Sequence, residues 1–344
     1  MGPALLSVVV PCANEEAVLR QTHRRLTEAL SRIADLSFEI LYVDDGSTDA
    51  TPYLLRGLQR ADDRVRVVRL SRNFGHQVAI TAGMEHASGD AVVVIDADLQ
   101  DPPEVIAEFV DHWRRGCEAA YGVRTEREGE TAFKLWTAKA FYRLIGRLSE
   151  TEIPLDTGDF RLLDRKAVDA LLAMPERDRF IRGMVSWLGF SQVAVPYSRA
   201  PRLAGKTKFS LFKMVRFATD GIVSFSTAPL KLATYLGFTV SGLAILGILY
   251  ALYVRFFVTG WVQGWTSLVI AVFFLGGVQL ICLGIIGEYV GRIYGESKRR
   301  PLYLVQETAG FGKGSSSFVR KPVGTVSNDV DADSSVYQPR EAFR

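Results

Sequence analysis

The sequence predicts an α/β protein: a mostly parallel sheet flanked by helices, followed by an amphipathic segment and two membrane-spanning helices. Three observations predict it. Short β-rich runs alternate with helical patterns through roughly the first half of the chain. Two later stretches of 23 residues each carry no charge. Polar clusters stand directly after four of the strand-like runs.

The strand-like runs fall at 6–10, 39–43, 65–70, 91–95 and 119–122, and helical patterns at 15–34, 50–60, 77–87 and 103–115. Strand–helix–strand order of this kind builds parallel pairs through right-handed crossovers. The run 91–95, Ala-Val-Val-Val-Ile, is apolar at every position, as a strand buried on both faces requires. A helical stretch at 131–148, a strand at 159–163 and a helix at 165–173 extend this domain, which the sequence bounds at 1–209.

The charge-free stretches are 232–254 and 265–287. At about 1.5 Å per residue, each crosses a hydrocarbon core of about 30 Å. Trp261, Trp265, Tyr250, Tyr253 and Tyr289 stand near their ends, where interfacial aromatics belong. Lys206, Lys208, Lys213, Arg216 and Lys231 precede this hairpin (231–290), and Arg292, Lys298, Arg299 and Arg300 follow it. The connecting loop offers only Arg255. The positive-inside rule therefore puts the domain and both termini on the cytoplasmic side of the plasma membrane.

Between domain and hairpin, the 210–226 stretch interleaves Leu211, Phe212, Met214 and Val215 with Lys213 and Arg216. That pattern suits an interfacial helix on membrane lipids over 210–230, and equally a core-facing one. Gly287, Gly291 and Gly295 recur every four residues. They permit close helix contact, within the hairpin or in a homo-oligomer. Residues 291–344 read as a cytoplasmic segment, disordered beyond about 311 by composition.

The net charge of +3 is too balanced to imply a nucleic-acid partner. Cys12, Cys117 and Cys282 lie far apart, which argues against a zinc site or disulfide framework and fits a reducing compartment. No basic region precedes the apolar run 5–10 and Pro11 ends it, so no signal peptide is read there; Pro3 and Leu6 do not suit a myristoylation start.

The chemistry centres on Asp96-Ala97-Asp98, where the apolar run emerges. On extended backbone, carboxylates at i and i+2 face one side. Crowded oxygen donors suit Mg²⁺ or Mn²⁺, which also take phosphate oxygens. Pro11-Cys12-Ala13-Asn14-Glu15-Glu16, Asp44-Asp45-Gly46-Ser47-Thr48-Asp49 and Ser71-Arg72-Asn73-Phe74-Gly75 follow the other three strands. Singly, these read as helix caps and turns. Four at one sheet edge build a crevice where such sheets bind ligands.

With Gly158-Asp159-Phe160-Arg161-Leu162, Arg199, Arg202, Gly205, Lys208 and the hairpin, these stretches resemble family 2 glycosyltransferases of the GT-A fold. They are most similar to the polyprenyl-phosphate branch, which includes dolichol-phosphate mannose synthase and bacterial undecaprenyl-phosphate glucosyltransferases. The resemblance covers roughly residues 5–300. It implies inverting transfer of a sugar from a nucleotide sugar to a polyprenyl phosphate, best read as glucose from UDP-glucose. GDP-mannose and UDP-N-acetylglucosamine are the alternative donors. A rival of another class is a non-catalytic scaffold for a flippase or polymerase. A processive polysaccharide synthase would need a Gln-x-x-Arg-Trp motif that the chain lacks.

The resemblance also implies roles. Pro11, Glu15 and Asp45, with Ala13, Val43 and Ala97 beside them, hold the nucleotide; Ala13 stands where relatives often carry Tyr or Phe. Asp96 and Asp98, with Gln100, hold the metal on the diphosphate, and Arg124 reaches the phosphates. Asp98 and Asp159 are the catalytic candidates, Asp159 as base. Arg199, Arg202 and Lys208 grip the acceptor phosphate. A phosphate monoester has a second pKa of about 6, so such an acceptor needs little help from a base.

Overall fold

The computed structural model describes residues 3–125, 157–198, 228–257 and 264–311. The helical stretch expected at 131–148, the amphipathic segment 210–226, Arg199, Arg202, Lys208 and everything beyond 311 lie outside the described residues.

Strands β1 (Ala4–Cys12), β2 (Leu36–Asp44), β3 (Val65–Leu70) and β4 (Ala91–Val94) pair in parallel, in the order β4-β1-β2-β3. Helices α1 (Leu19–Ser31), α2 (Thr51–Ala61) and α3 (His76–His86) connect them. After α4 (Ile106–Arg114) come β5 (Ala119–Arg124), β6 (Thr157–Asp164), α5 (Arg165–Ala173), α6 (Ile181–Trp187) and β7 (Gln192–Tyr197). Strand β6 inserts antiparallel between β4 and β5, and β7 pairs parallel to β5. A last strand, β8 (Val305–Ala309), pairs antiparallel with β3. The sheet reads β7-β5-β6-β4-β1-β2-β3-β8, so strand order reverses between β1 and β4. Their carboxyl ends flank the crevice expected at such a switch point.

Two-sided burial explains the central strands. Every residue of β1 from Leu6 to Cys12 and all four of β4 are buried, as their mostly apolar runs demand, and the one polar side chain among them, Ser7, donates to Glu39. The helix expected to start at residue 15 begins instead at Leu19. Asn14 sits at φ +60° and turns the chain, and its N–H and that of Glu15 donate to Ser47 Oγ and Thr51 Oγ1. Tertiary partners there outweigh helical ones.

Phe160 on β6 packs against Phe109 of α4, with ring centroids 4.7 Å apart, and meets Tyr197 of β7 edge-on at 5.7 Å. Strand alternation then turns Asp159 and Arg161 to the opposite face, toward α3. That orientation places the chemistry of β6.

The hairpin is formed by α7 (Ala228–Phe257) and α8 (Trp265–Ser297), with Cys282 of α8 beside Ala233 of α7. Only 6% and 0% of their most apolar windows are buried within the protein, unlike core helices of a soluble domain. Both are long and apolar enough to cross a membrane. A Cβ placed on Gly287, Gly291 or Gly295 would meet nothing within 4 Å, so this stripe does not pack against α7.

Helix α8 runs past the expected span and touches the domain. The Arg177 N–H donates to Glu296 Oε1 at 2.7 Å, and Arg292 lies 3.4 Å from Asp178. The chain then returns to the sheet: Tyr303 donates to Glu85, the Ser71 N–H donates to the Leu304 carbonyl at 2.9 Å, and β8 follows. The sequence reading left this segment without an element, because Val-Gln-Glu-Thr-Ala carries little strand signal.

Candidate active site

Three loops are laced into one rim. In register, Pro11 faces Val43 and Cys12 faces Asp44, and the Asp45 N–H donates to the Cys12 carbonyl at 2.9 Å. The Asn14 side chain accepts from the Thr48 and Asp49 N–H groups at 2.8 and 3.3 Å. The buried Asp45 carboxylate accepts the N–H groups of Phe74 at 2.7 Å and Gly75 at 3.0 Å, drawing in the loop after β3. Gly46 sits at φ +65°, and a Cβ there would lie 2.4 Å from the Arg72 carbonyl carbon. Only glycine fits where these loops cross.

Pro11, Val43 and Ala97 are buried in this rim, Glu15 is half-buried and Ala13 is exposed. The Ala97 carbonyl accepts from the buried Thr22 hydroxyl at 2.6 Å, which ties the Asp96–Asp98 loop to α1. The Gln100 N–H donates to Asp98 Oδ1 at 3.1 Å, and Leu99 between them adopts φ +56°. A bulky buried residue in the left-handed region costs on the order of 1–2 kcal/mol. That strain is concentrated at the turn carrying the two carboxylates.

Asp96 is 32% exposed as a side chain, yet its Oδ1 is sealed from solvent without a hydrogen-bond partner. Burial lifts its pKa to about 6; nearby His76 opposes the shift, while Asp159, Asp101 and Asp98 add to it. A buried carboxylate oxygen that accepts no hydrogen bond, with only the His76 imidazole near it at 3.4 Å, suits a bound cation. Among the described residues, no group of three or more His, Cys, Asp and Glu could hold a metal ion. Asp96 and Asp98 nonetheless fit Mg²⁺ or Mn²⁺, since such ions commonly take one or two carboxylates and complete their coordination with water and phosphate oxygens.

Asp159 is the hub of the opposite wall. Its Oδ2 accepts from Gln77 Nε2 at 3.0 Å and lies 3.2 Å from His76 Nε2; its Oδ1 accepts from Arg182 Nε at 2.9 Å. Burial alone would raise its pKa, but the His76 hydrogen bond and the charges of Arg182 and Arg161 hold it well below the usual carboxylate range. Such a group is a poor proton acceptor at neutral pH. His76 also lies 3.4 Å from Asp96 Oδ1 and so bridges the two walls. Burial works against the imidazolium, but its bond to Asp159 and the charge of Asp96 leave its pKa raised.

Arg124 reaches across the end of β5. Its Nε donates to the Tyr197 hydroxyl at 3.3 Å, and its Nη2 lies 3.8 Å from the buried Asp101. A Cβ on Gly158 would come within 2.8 Å of the same guanidinium. The sequence motifs point to none of His76, Gln77 and Arg182, and they include Asp101 and Arg161 without giving either a role. His76 directly follows Gly75, the last residue of a cluster that was recognised, so that signal was available. Arg182 gave none.

Residues 7–172 match the glycosyl transferase family 2 domain, and residues 228–293 the GtrB C-terminal hairpin. An uncharacterized glycosyltransferase of Bacillus subtilis, YkcC, is 50% identical over 304 residues, covering 88% of this chain and 94% of its own. This chain belongs to glycosyl transferase family 2. The bactoprenol glucosyl transferase of Shigella phage SfV is 40% identical over 301 residues, covering 88% of this chain and 98% of that one. A solved mannosyltransferase, PcManGT from Pyrobaculum calidifontis, aligns with a TM-score of 0.44 at 18% identity, over 82% of this chain and 88% of that one. The fold of this glycosyltransferase is GT-A, a mixed eight-stranded sheet flanked by helices. The matching hairpin and its exposed apolar surface mark it as membrane-associated.

Proposed function

We propose that the protein transfers glucose from UDP-glucose to a polyprenyl phosphate at the cytoplasmic membrane face, with inversion at the anomeric carbon. The reading is carried by the sealed Asp96 oxygen at the mouth of the β1/β4 crevice, which accepts no hydrogen bond and has the His76 imidazole 3.4 Å away. The names of relatives that match nearly end to end support glucose and a polyprenyl acceptor. The flanking cations of the hairpin support the cytoplasmic orientation.

In this reading Asp96 and Asp98, with Gln100, hold Mg²⁺ or Mn²⁺ on the donor diphosphate. The cation stabilises the charge that builds on the departing UDP. Pro11, Ala13, Glu15, Val43, Asp45 and Ala97 seat the nucleotide, and Arg124 faces its phosphates. Asp159 remains an anion and orients its neighbours instead of taking a proton, since the acceptor phosphate arrives largely ionised. Arg199, Arg202 and Lys208 receive that phosphate. Correct aim of the acceptor oxygen is then the main demand on the site.

The deciding experiment offers undecaprenyl phosphate and a panel of radiolabelled nucleotide sugars, with Mg²⁺ or Mn²⁺. Labelled lipid is expected from UDP-glucose. Labelling from GDP-mannose or UDP-N-acetylglucosamine instead would reassign the donor. No label from any donor, in folded protein, would favour the scaffold.

A pH dependence follows from Asp96. A carboxyl whose folded pKa is raised stabilises the fold while protonated. Its contribution is present below its unfolded value of 3.8 and is lost as pH rises through about 6. A cation binds the ionised form and reverses this. The rise in melting temperature given by Mn²⁺ with UDP is therefore expected to grow between pH 5 and pH 7. An increment independent of pH over that range would contradict it.

A further inference from the structure

More positive charge surrounds Asp159 than one carboxylate can balance. Arg182 pairs with it at 2.9 Å and His76 at 3.2 Å. Behind them Arg161, only 4% exposed, donates from Nη2 to the Gly158 carbonyl at 3.1 Å, and its Nε has no hydrogen-bond partner. A buried guanidinium is costly unless a counter-charge compensates it. Two arginines against one aspartate leave a surplus of one positive charge, with His76 shared between Asp159 and Asp96.

The surplus is reachable from the crevice. His76 is 44% and Arg182 26% exposed while both hold Asp159, and Arg182 Nη1 also donates to the Thr157 carbonyl at 2.9 Å. It also lies toward the hairpin. Arg182 stands on the first turn of α6, a few residues after Arg177 and Asp178, which touch Glu296 and Arg292 at the end of α8. Asp96 and Asp98 lie across the His76 bridge from this wall.

We propose that Arg182 and His76, backed by the buried charge of Arg161, seat the phosphate monoester of a lipid-linked acceptor on the open side of Asp159. This rests on the transferase reading above, in which Arg199, Arg202 and Lys208 also grip that phosphate, and adds to it the wall on which the phosphate lies. The geometry is consistent with the chemistry, because an attacking oxygen must come within about 3–3.5 Å of the carbon it attacks. A seat one imidazole away from the Asp96 carboxylate puts acceptor and donor phosphates on adjacent walls. Asp159 then acts as a positioning residue that keeps Arg182 and His76 aimed.

The test measures binding of farnesyl phosphate, farnesol and inorganic phosphate to the detergent-solubilised full chain, without donor. Farnesyl phosphate is expected to bind at least tenfold more tightly than either of the others. Arg182→Gln should weaken it tenfold or more and His76→Asn several-fold, with UDP affinity unchanged within twofold. Arg182→Lys keeps the charge and should retain part of the affinity. Asp159→Asn, which weakens the hold on Arg182 and His76, should loosen farnesyl phosphate several-fold while UDP affinity and the melting temperature stay near wild type. Unaltered farnesyl phosphate binding in both the Arg182 and His76 variants would overturn the proposal. So would a loss confined to UDP, which would give the wall to the donor, or inorganic phosphate binding as well as the prenyl form. Failure of wild-type sugar transfer would instead strike the transferase reading and leave the binding result standing.

Discussion

Asp98→Ala is expected to reduce sugar transfer by about 100- to 1,000-fold with the fold intact. Removing one of two carboxylates that hold a charge-stabilising cation forfeits several kcal/mol of transition-state stabilisation, and each 1.36 kcal/mol is tenfold in rate. Asp98 is half-buried on a surface turn, so its loss leaves the core untouched. Rates with saturating UDP-glucose and undecaprenyl phosphate, beside a melting curve, would check this. A variant within tenfold of wild type would remove Asp98 from the proposed cation site.

Gly46→Ala is expected to damage both stability and nucleotide binding. The left-handed backbone costs an alanine about 1–2 kcal/mol. The Cβ would also lie 2.4 Å from backbone carbon of Arg72, which no side-chain rotation relieves. Forcing such neighbours apart adds about 1–3 kcal/mol. At about 2–4 °C per kcal/mol for a domain of this size, melting should fall by roughly 5–15 °C. Because the displaced segment carries the N–H groups that bind Asp45, UDP affinity should fall with it. A variant that melts like wild type and binds UDP normally would show that the loops can separate.

The parallel half of the sheet was legible because its strands are short and rich in Val, Ile and Leu between helical patterns, and β4, buried on both faces, is apolar throughout. The carboxylates of Asp96 and Asp98 were legible for the same reason, since a strand that stops abruptly at two acids announces its carboxyl end. The other wall was not. Nothing in a hydrophobic pattern says that β6 slips between β4 and β5, and only that insertion brings Asp159 within reach of His76, 83 residues away in sequence. Arg182 became a partner of Asp159 through packing of α6, a seven-residue helix with no distinguishing motif. Strand β8 escaped because an edge strand needs only one apolar face, and its sequence shows little even of that.

That last strand has a consequence for biogenesis. Until β8 is made, β3 is an open sheet edge, the kind of template on which chains aggregate. Residues 71–304, including both apolar helices, are synthesised between the two strands. At about 5–20 residues per second, the ribosome takes on the order of 10–50 s to cover that interval. The nascent domain waits through it with an unpaired edge, and a chain stalled or clipped after the second helix would be left with that edge still open.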